Sequence, residues 1–150
     1  MVGSGLDVKI ARCFAFVGPY LNRTIHFAIG NFMQDCLDGR DIVIKGDGTP
    51  LRSYLYADDL VEWLFAILER GKPGRTYNVG SDCAISIAEL AEVMLKVLNP
   101  GGKVKTLGVA LKGRPSVYVP CVARAVEELG LCVCVDLPKA IAESALNGNR

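Results

Sequence analysis

The sequence predicts a mixed α/β fold, and three observations carry that prediction. Short β-rich runs alternate along the chain with segments whose apolar residues recur at helical spacing. Most of the helical segments carry a start or stop signal: a capping residue in front or a glycine behind. Neither an internal repeat nor a low-complexity tract interrupts the alternation. Such an order excludes a helical bundle and a β-sandwich.

Taken in order, Val8 to Val17 is apolar and β-rich, and Gly18-Pro19 closes it. From Ile25 to Leu37, apolar side chains at 25, 28, 29, 32, 33, 36 and 37 form one helical face, with Asp38-Gly39 as the stop. Ile42-Val43-Ile44 is a short strand ended by the turn residues Gly46-Asp47-Gly48, and Leu51 to Tyr56 is another. Asp58 or Asp59 can cap the next helix, Leu60 to Arg70, which Gly71 follows. Thr76 to Val79 is a brief strand. Ser86-Ile87-Ala88-Glu89 is a capping box that opens a helix to about Leu98. Strands over 103–107 and 116–119 follow. Helices over 122–129, stopped by Gly130, and over 137–146, capped by Asp136, complete the chain.

Composition narrows the function classes. The chain has 150 residues, 51% hydrophobic and 22% charged, and is long enough to bury a core without metal or disulfide. Seventeen Lys+Arg against 16 Asp+Glu leave a net charge of +1. No basic cluster offers a footprint for nucleic acid or anionic lipid. No apolar run reaches the length of a membrane span, and Met1 to Asp7 lacks the regions of a signal peptide. The six cysteines (13, 36, 83, 121, 132 and 134) follow no C-x-x-C spacing, and His26 is the sole histidine. The expectation is therefore no metal site, with cysteines acting as small buried hydrophobes in a reducing, cytoplasmic setting.

Several catalytic signatures are missing. Gly3-Ser4-Gly5 is the nearest approach to G-x-G-x-x-G, with Val8 in place of the third glycine, and no G-x-x-x-x-G-K-[ST] occurs. His26 has no serine or cysteine partner in a recognisable motif, so no hydrolase triad is supported.

One set of blocks does carry a family resemblance. Ile10-Ala11-Arg12-Cys13-Phe14-Ala15-Phe16-Val17-Gly18-Pro19 resembles the sixth strand and following turn of extended short-chain dehydrogenases/reductases, the NAD(P)-dependent nucleotide-sugar epimerases and dehydratases. Ile44-Lys45-Gly46-Asp47-Gly48-Thr49-Pro50-Leu51-Arg52-Ser53-Tyr54-Leu55-Tyr56-Ala57-Asp58-Asp59 is similar to that family's "GdGxqxRdflyvdD" segment. Gly74 to Gly80 matches "GxxYNvG", Gly113-Arg114-Pro115 resembles "RPgd", and Glu127-Glu128-Leu129-Gly130 resembles "xELGw". The blocks keep the family's order and spacing along nearly the whole chain. Their wording leans towards the dTDP-glucose 4,6-dehydratase and CDP-deoxyhexose reductase branch.

The resemblance implies a C-terminal, nucleotide-sugar-binding half. Residues 1–20 would be the last strand of the dinucleotide-binding sheet, and 21–150 the substrate domain, an α/β lobe incomplete relative to the full fold. The family's catalytic Tyr-x-x-x-Lys is absent: none of Tyr20, Tyr54, Tyr56, Tyr77 or Tyr118 has lysine four residues on. NAD, the family's cofactor, is thus not expected to bind this chain alone. The expected ligand is a nucleotide sugar, and the expected role is not catalytic in isolation. The alternatives are a small oligomeric interaction protein without ligand, or simply a segment of a complete enzyme.

The resemblance also assigns candidate residues. Arg52 and Arg114 match the family's phosphate-contacting arginines, a role that suits the planar guanidinium fork. Solvated surface arginines are the bland alternative. Ile42, Val43 and Ile44 resemble its base-binding strand, where backbone groups meet the base edge; plain core is the alternative. His26 and Phe27 open a helix that borders the diphosphate in relatives. Tyr54, Tyr56 and Asn78 are expected to be structural. Three departures lower the expected phosphate affinity: Ala15-Phe16 where many members have Asn, Ser53 where they have Asp, and Cys121 where they cap a helix with Asp. Without its sheet neighbours the Val8–Phe14 strand would be an exposed apolar edge, so a homo-oligomer, or a separate N-terminal half bound in trans, is expected.

Overall fold

The structure, a computed structural model, describes residues 5–23, 27–109 and 113–146. In chain order the elements are β1 (Ile10–Cys13), β2 (Phe16–Val17), α1 (Ala28–Leu37), β3 (Ile42–Ile44), β4 (Leu51–Arg52), β5 (Leu55–Tyr56) and α2 (Ala57–Arg70). They continue as β6 (Thr76–Val79), β7 (Ile85–Ser86), α3 (Ile87–Leu98), β8 (Val104–Thr106), β9 (Val117–Tyr118), α4 (Ala123–Leu129) and α5 (Leu137–Leu146). The α/β expectation therefore holds. Two expected strands are each split: 8–17 into β1 and β2, and 51–56 into β4 and β5. Each half pairs with a different partner, β1 with β6 and β2 with β5, both parallel, and β4 with β7 and β9. Strand propensity is the same on both sides of each break, so the breaks come from tertiary pairing.

Period-two alternation along the paired β2 and β5 divides the interior. Leu55 and its neighbour Tyr56 are both buried but face opposite ways. Tyr56 and Val17 join Ile29, Phe32, Met33, Ile42, Ile44, Leu90, Met94 and Ile141 in one core, formed by α1, β3, α3 and α5. Leu55 joins Trp63, Ile67, Tyr77, Val79, Ala125 and Leu129 in a second, formed by α2, β6 and α4. The tyrosines follow expectation: Tyr56 is core, and Tyr54 packs against it half-buried.

The helix ends show which sequence signals act. Ser86 accepts from the Glu89 backbone N–H while the Glu89 carboxylate accepts from the Ser86 N–H, the reciprocal box expected at α3. Gly39 and Gly130, with φ of 70° and 68°, provide the left-handed turns after α1 and α4. Neither Asp58 nor Asp59 caps α2. Its N-cap is Tyr56, with no side-chain bond, and the two aspartates sit in the first turn, where negative charge suits the helix dipole. Asp59 is buried, and its Oδ2 accepts instead from the backbone N–H groups of Cys134 and Val135, both at 3.1 Å.

The cysteine expectation is corrected. Only Cys36 is buried; Cys13, Cys83, Cys121, Cys132 and Cys134 are exposed. Cys13 lies on β1, whose four residues are all exposed because β6 is its one strand partner among the described residues. Cys132 and Cys134 occupy the outward positions of an alternating segment. Among the described residues, no group of three or more potential ligands is placed to hold a metal, and no helix is long and apolar enough to cross a membrane.

Candidate functional site

An open cavity of about 790 Å³ lies between α1, β3 and the loop running to Pro50. That size falls within the range of small-molecule sites. Ala28, Asn31, Phe32 and Asp35 of α1 form one wall, Val43, Ile44, Lys45 and Gly46 the other, and Gly48, Pro50 and Ile87 the floor. Arg23 and Arg40 complete the rim.

β3 positions this wall through its alternation. Ile42 and Ile44 are buried in the core, whereas Val43 is exposed. β8 takes one edge of the strand: Ile42 N–H donates to the Lys103 carbonyl, and the Ile44 carbonyl accepts from Leu107 N–H. Backbone direction alternates in a parallel ladder, so the N–H and C=O of Val43 point to the opposite edge. No described strand covers that edge. Val43 thus offers a donor and an acceptor beside the cavity, flanked by apolar side chains. Of the three residues expected at a base edge, Val43 is the one whose backbone groups β8 leaves free. The side chains of Ile42 and Ile44 are core, because alternation turns both inward.

The charges around the rim are unequal. Arg40 is engaged by Asp35 and Asp38, whose hydrogen bonds raise its pKa above the ordinary arginine value. Arg23 donates to the Ser144 carbonyl at 3.1 Å. Lys45, two residues beyond Val43 on the same strand face, is exposed and has no ion-pair partner among the described residues. Sequence reasoning passed over Lys45, although its i, i+2 relation to Val43 was there to be read.

The remaining candidates fall elsewhere. Phe27 is exposed and acts as the N-cap of α1, without a side-chain capping bond, next to cavity-lining Ala28. His26 lies outside the described residues. Arg52 is half-buried; its Nη1 donates to the carbonyls of Leu51, at 2.7 Å, and Ser116, at 3.2 Å. Those bonds aim the side chain at the β4–β9 junction. Arg114 is exposed on the segment that leads into β9. Neither arginine lines the cavity. Ser53, the neighbour of Arg52, is fully buried, and its hydroxyl has no hydrogen-bond partner among the described residues. Asn78 is structural: it accepts from Arg12 at 3.5 Å and donates to the Cys121 carbonyl at 2.8 Å, tying β6 to the approach to α4.

A glycine turn between strand and helix would be needed to cradle a dinucleotide's diphosphate. Gly18 lies between β2 and α1, but the space its missing side chain leaves is occupied: an added Cβ would meet the Ala57 Cβ at 2.4 Å. Gly18 serves the close approach of α2. The turn at Gly18 therefore leaves no room for a diphosphate.

Residues 2–80 match the family described as "NAD dependent epimerase/dehydratase family". Among curated relatives, a dTDP-glucose 4,6-dehydratase of Streptomyces griseus is 31% identical over 141 residues, covering 94% of this chain and 42% of the relative. UDP-glucuronic acid decarboxylase 1 of Arabidopsis thaliana is 33% identical over 103 residues, or 69% and 23%. Among solved structures, a UDP-glucose 4-epimerase from Thermotoga maritima superposes with a TM-score of 0.83 at 22% identity, covering 95% of this chain and 46% of that one. A dTDP-glucose 4,6-dehydratase from Streptomyces venezuelae, solved with NAD bound, gives 0.78 at 28% identity, covering 95% and 44%. The chain spans less than half the length of these relatives.

Proposed function

Since the chain belongs to the NAD-dependent epimerase/dehydratase family, we propose that its 150 residues form the nucleotide-sugar-binding part of such an enzyme. One observation carries this reading: the uncovered backbone edge of Val43 faces a cavity of about 790 Å³ rimmed by Lys45. A nucleobase needs a donor and an acceptor in one plane between apolar walls, and Val43 supplies both. A diphosphate needs a cation nearby, and Lys45 is one with no ion-pair partner among the described residues. Arg52 and Arg114, with Phe27 as a neighbour, extend the site along the family's pattern. Residues 1–20 correspond in this reading to the last strand of the dinucleotide-binding sheet, and 21–150 to the sugar-nucleotide domain.

Oxidation of the sugar requires NAD and the Tyr-x-x-x-Lys pair, which none of the chain's five tyrosines supplies. The catalytic step therefore belongs to sequence outside these 150 residues, joined to them or bound in trans. β1 is suited to such a contact: its four residues are exposed and its outer edge is unpaired among the described residues. The same edge suits a second copy of the chain.

Calorimetric titration with UDP, dTDP, CDP and GDP sugars, with NAD as a control, tests the reading. Saturable binding of one nucleotide sugar is expected. Lys45→Ala or Arg52→Ala should weaken it by about ten- to a hundredfold, the loss of one charge-assisted hydrogen bond. Binding that neither substitution weakens, or heat at baseline for every sugar, would overturn it.

A further inference from the structure

The connection from α4 to α5 carries two cysteines that the cavity does not use. Along Leu131-Cys132-Val133-Cys134-Val135-Asp136 the side chains alternate. Leu131, Val133 and Val135 pack against the cores, while Cys132, Cys134 and Asp136 face solvent. Both thiols thus emerge on one side, and their Sγ atoms are 3.0 Å apart. That is closer than the ~3.5–4.0 Å at which two smaller, non-bonded carbon atoms rest.

The backbone behind the pair is anchored. Asp59 accepts from the N–H groups of Cys134 and Val135, and the indole Nε1 of buried Trp63 donates to the Cys132 carbonyl at 3.0 Å. Two side chains of one helix, α2, therefore hold the sulfurs in register. Thiol pairs held together and open to solvent are those that exchange with disulfides in solution.

We propose that Cys132 and Cys134 form a redox-active dithiol, closed to an intrachain disulfide by a small disulfide oxidant such as oxidised glutathione. The sulfur–sulfur hydrogen bond pushes the Cys134 thiol up to about 11, and either sulfur can hold the shared proton while the other enters as thiolate, Cys132 in one order and Cys134 in the other. In the first order the Cys132 thiolate attacks one glutathione sulfur, forms a mixed disulfide and expels glutathione thiolate. That thiolate takes the Cys134 proton. The Cys134 thiolate then attacks the Cys132 sulfur and releases the second glutathione. One intrachain S–S bond forms, the glutathione S–S bond breaks, and two electrons pass from the protein to glutathione. The ring encloses a single intervening residue in an exposed segment, so excess reduced glutathione reopens it.

The test equilibrates the full chain with glutathione at graded oxidised-to-reduced ratios, traps free thiols by alkylation and maps the peptides by mass. The expected result is that the peptide bearing Cys132 and Cys134 loses two hydrogens and both alkylation sites together, reversibly. Emission from Trp63, the one tryptophan in the chain, should fall in step, because a disulfide beside the indole quenches it. Cys134→Ser should stop at one glutathione on Cys132, and C13S/C83S/C121S should leave the response intact. Alkylation of both residues at every ratio, glutathione persisting on the unaltered pair, or a bond between chains would overturn the proposal.

Discussion

At the scale of single residues, the positions that the sequence misassigned are those whose partner lies far along the chain. Asp59 reads as a helix cap because local pattern offers it nothing else. Its actual partners, the backbone of Cys134 and Val135, lie 75 and 76 residues away. The i, i+2 relation of Lys45 to Val43 was legible, but only the packing of α1 beside β3 shows that this face lines a cavity. What could be read were the reciprocal bonds of Ser86 with Glu89, since capping is decided within four residues. Val43 was legible as one of three, and only the pairing of β3 with β8 separates it from Ile42 and Ile44. The role of Asp59 makes a measurable claim. Asp59→Ala removes two charge-assisted bonds from a buried carboxylate and leaves two N–H groups without an acceptor, which should cost about 2–4 kcal/mol. Asp59→Asn keeps one acceptor oxygen and should cost clearly less. Urea unfolding of the two variants checks this; equal losses would mean that the negative charge, and not an acceptor oxygen at this place, holds the α4–α5 connection.

Among the elements, helices were easier to read than strands. The helix periods at 25–37 and 86–98 end close to α1 and α3, because a helix satisfies its backbone internally. Strands as short as β4, β5 and β7 satisfy theirs only across the fold, so local sequence marks neither their breaks nor β7 at all. Two elements present apolar surface that neither core covers. β1 is exposed at Ile10, and α2 exposes Val61, Leu64, Phe65 and Leu68, a stripe at i, i+3, i+4 and i+7. A helix stripe and an unpaired strand edge on one molecule favour association. Light scattering at micromolar concentration should give at least a dimer. F65E/L68E should lower its mass towards a monomer while shifting stability by no more than about 0.5 kcal/mol, because both residues are exposed. A monodisperse monomer for the unaltered chain would remove oligomerisation through these faces.

On the scale of the whole molecule, each core carries a hydrogen-bonded surface carboxylate, and both contributions weaken in acid. The second core is tied across its surface by Glu128 of α4, which pairs with Arg75 and Lys72 and accepts from the Tyr77 hydroxyl at 2.9 Å. The Arg75 hydrogen bond, with help from Tyr77, holds the Glu128 carboxyl down at about 2, against an ordinary 4.5. The sign follows from linkage. A carboxyl more acidic in the folded state than in the unfolded one stabilises the fold above the unfolded value, and that contribution is lost as pH falls. Here the loss runs from about pH 5 down to about pH 2. The first core has the capping box of α3, where bonds from Ser86 also lower the Glu89 carboxyl and give the same direction of dependence. Glu128→Gln should therefore be less stable than the unaltered chain at pH 7, with a flatter decline between pH 5 and pH 2, so that the two curves converge in acid. Denaturant midpoints across that range measure it. The comparison also assigns the acid sensitivity: a slope that survives Glu128→Gln but vanishes in Glu89→Gln would place it in the α3 cap and not in the tie between β6 and α4.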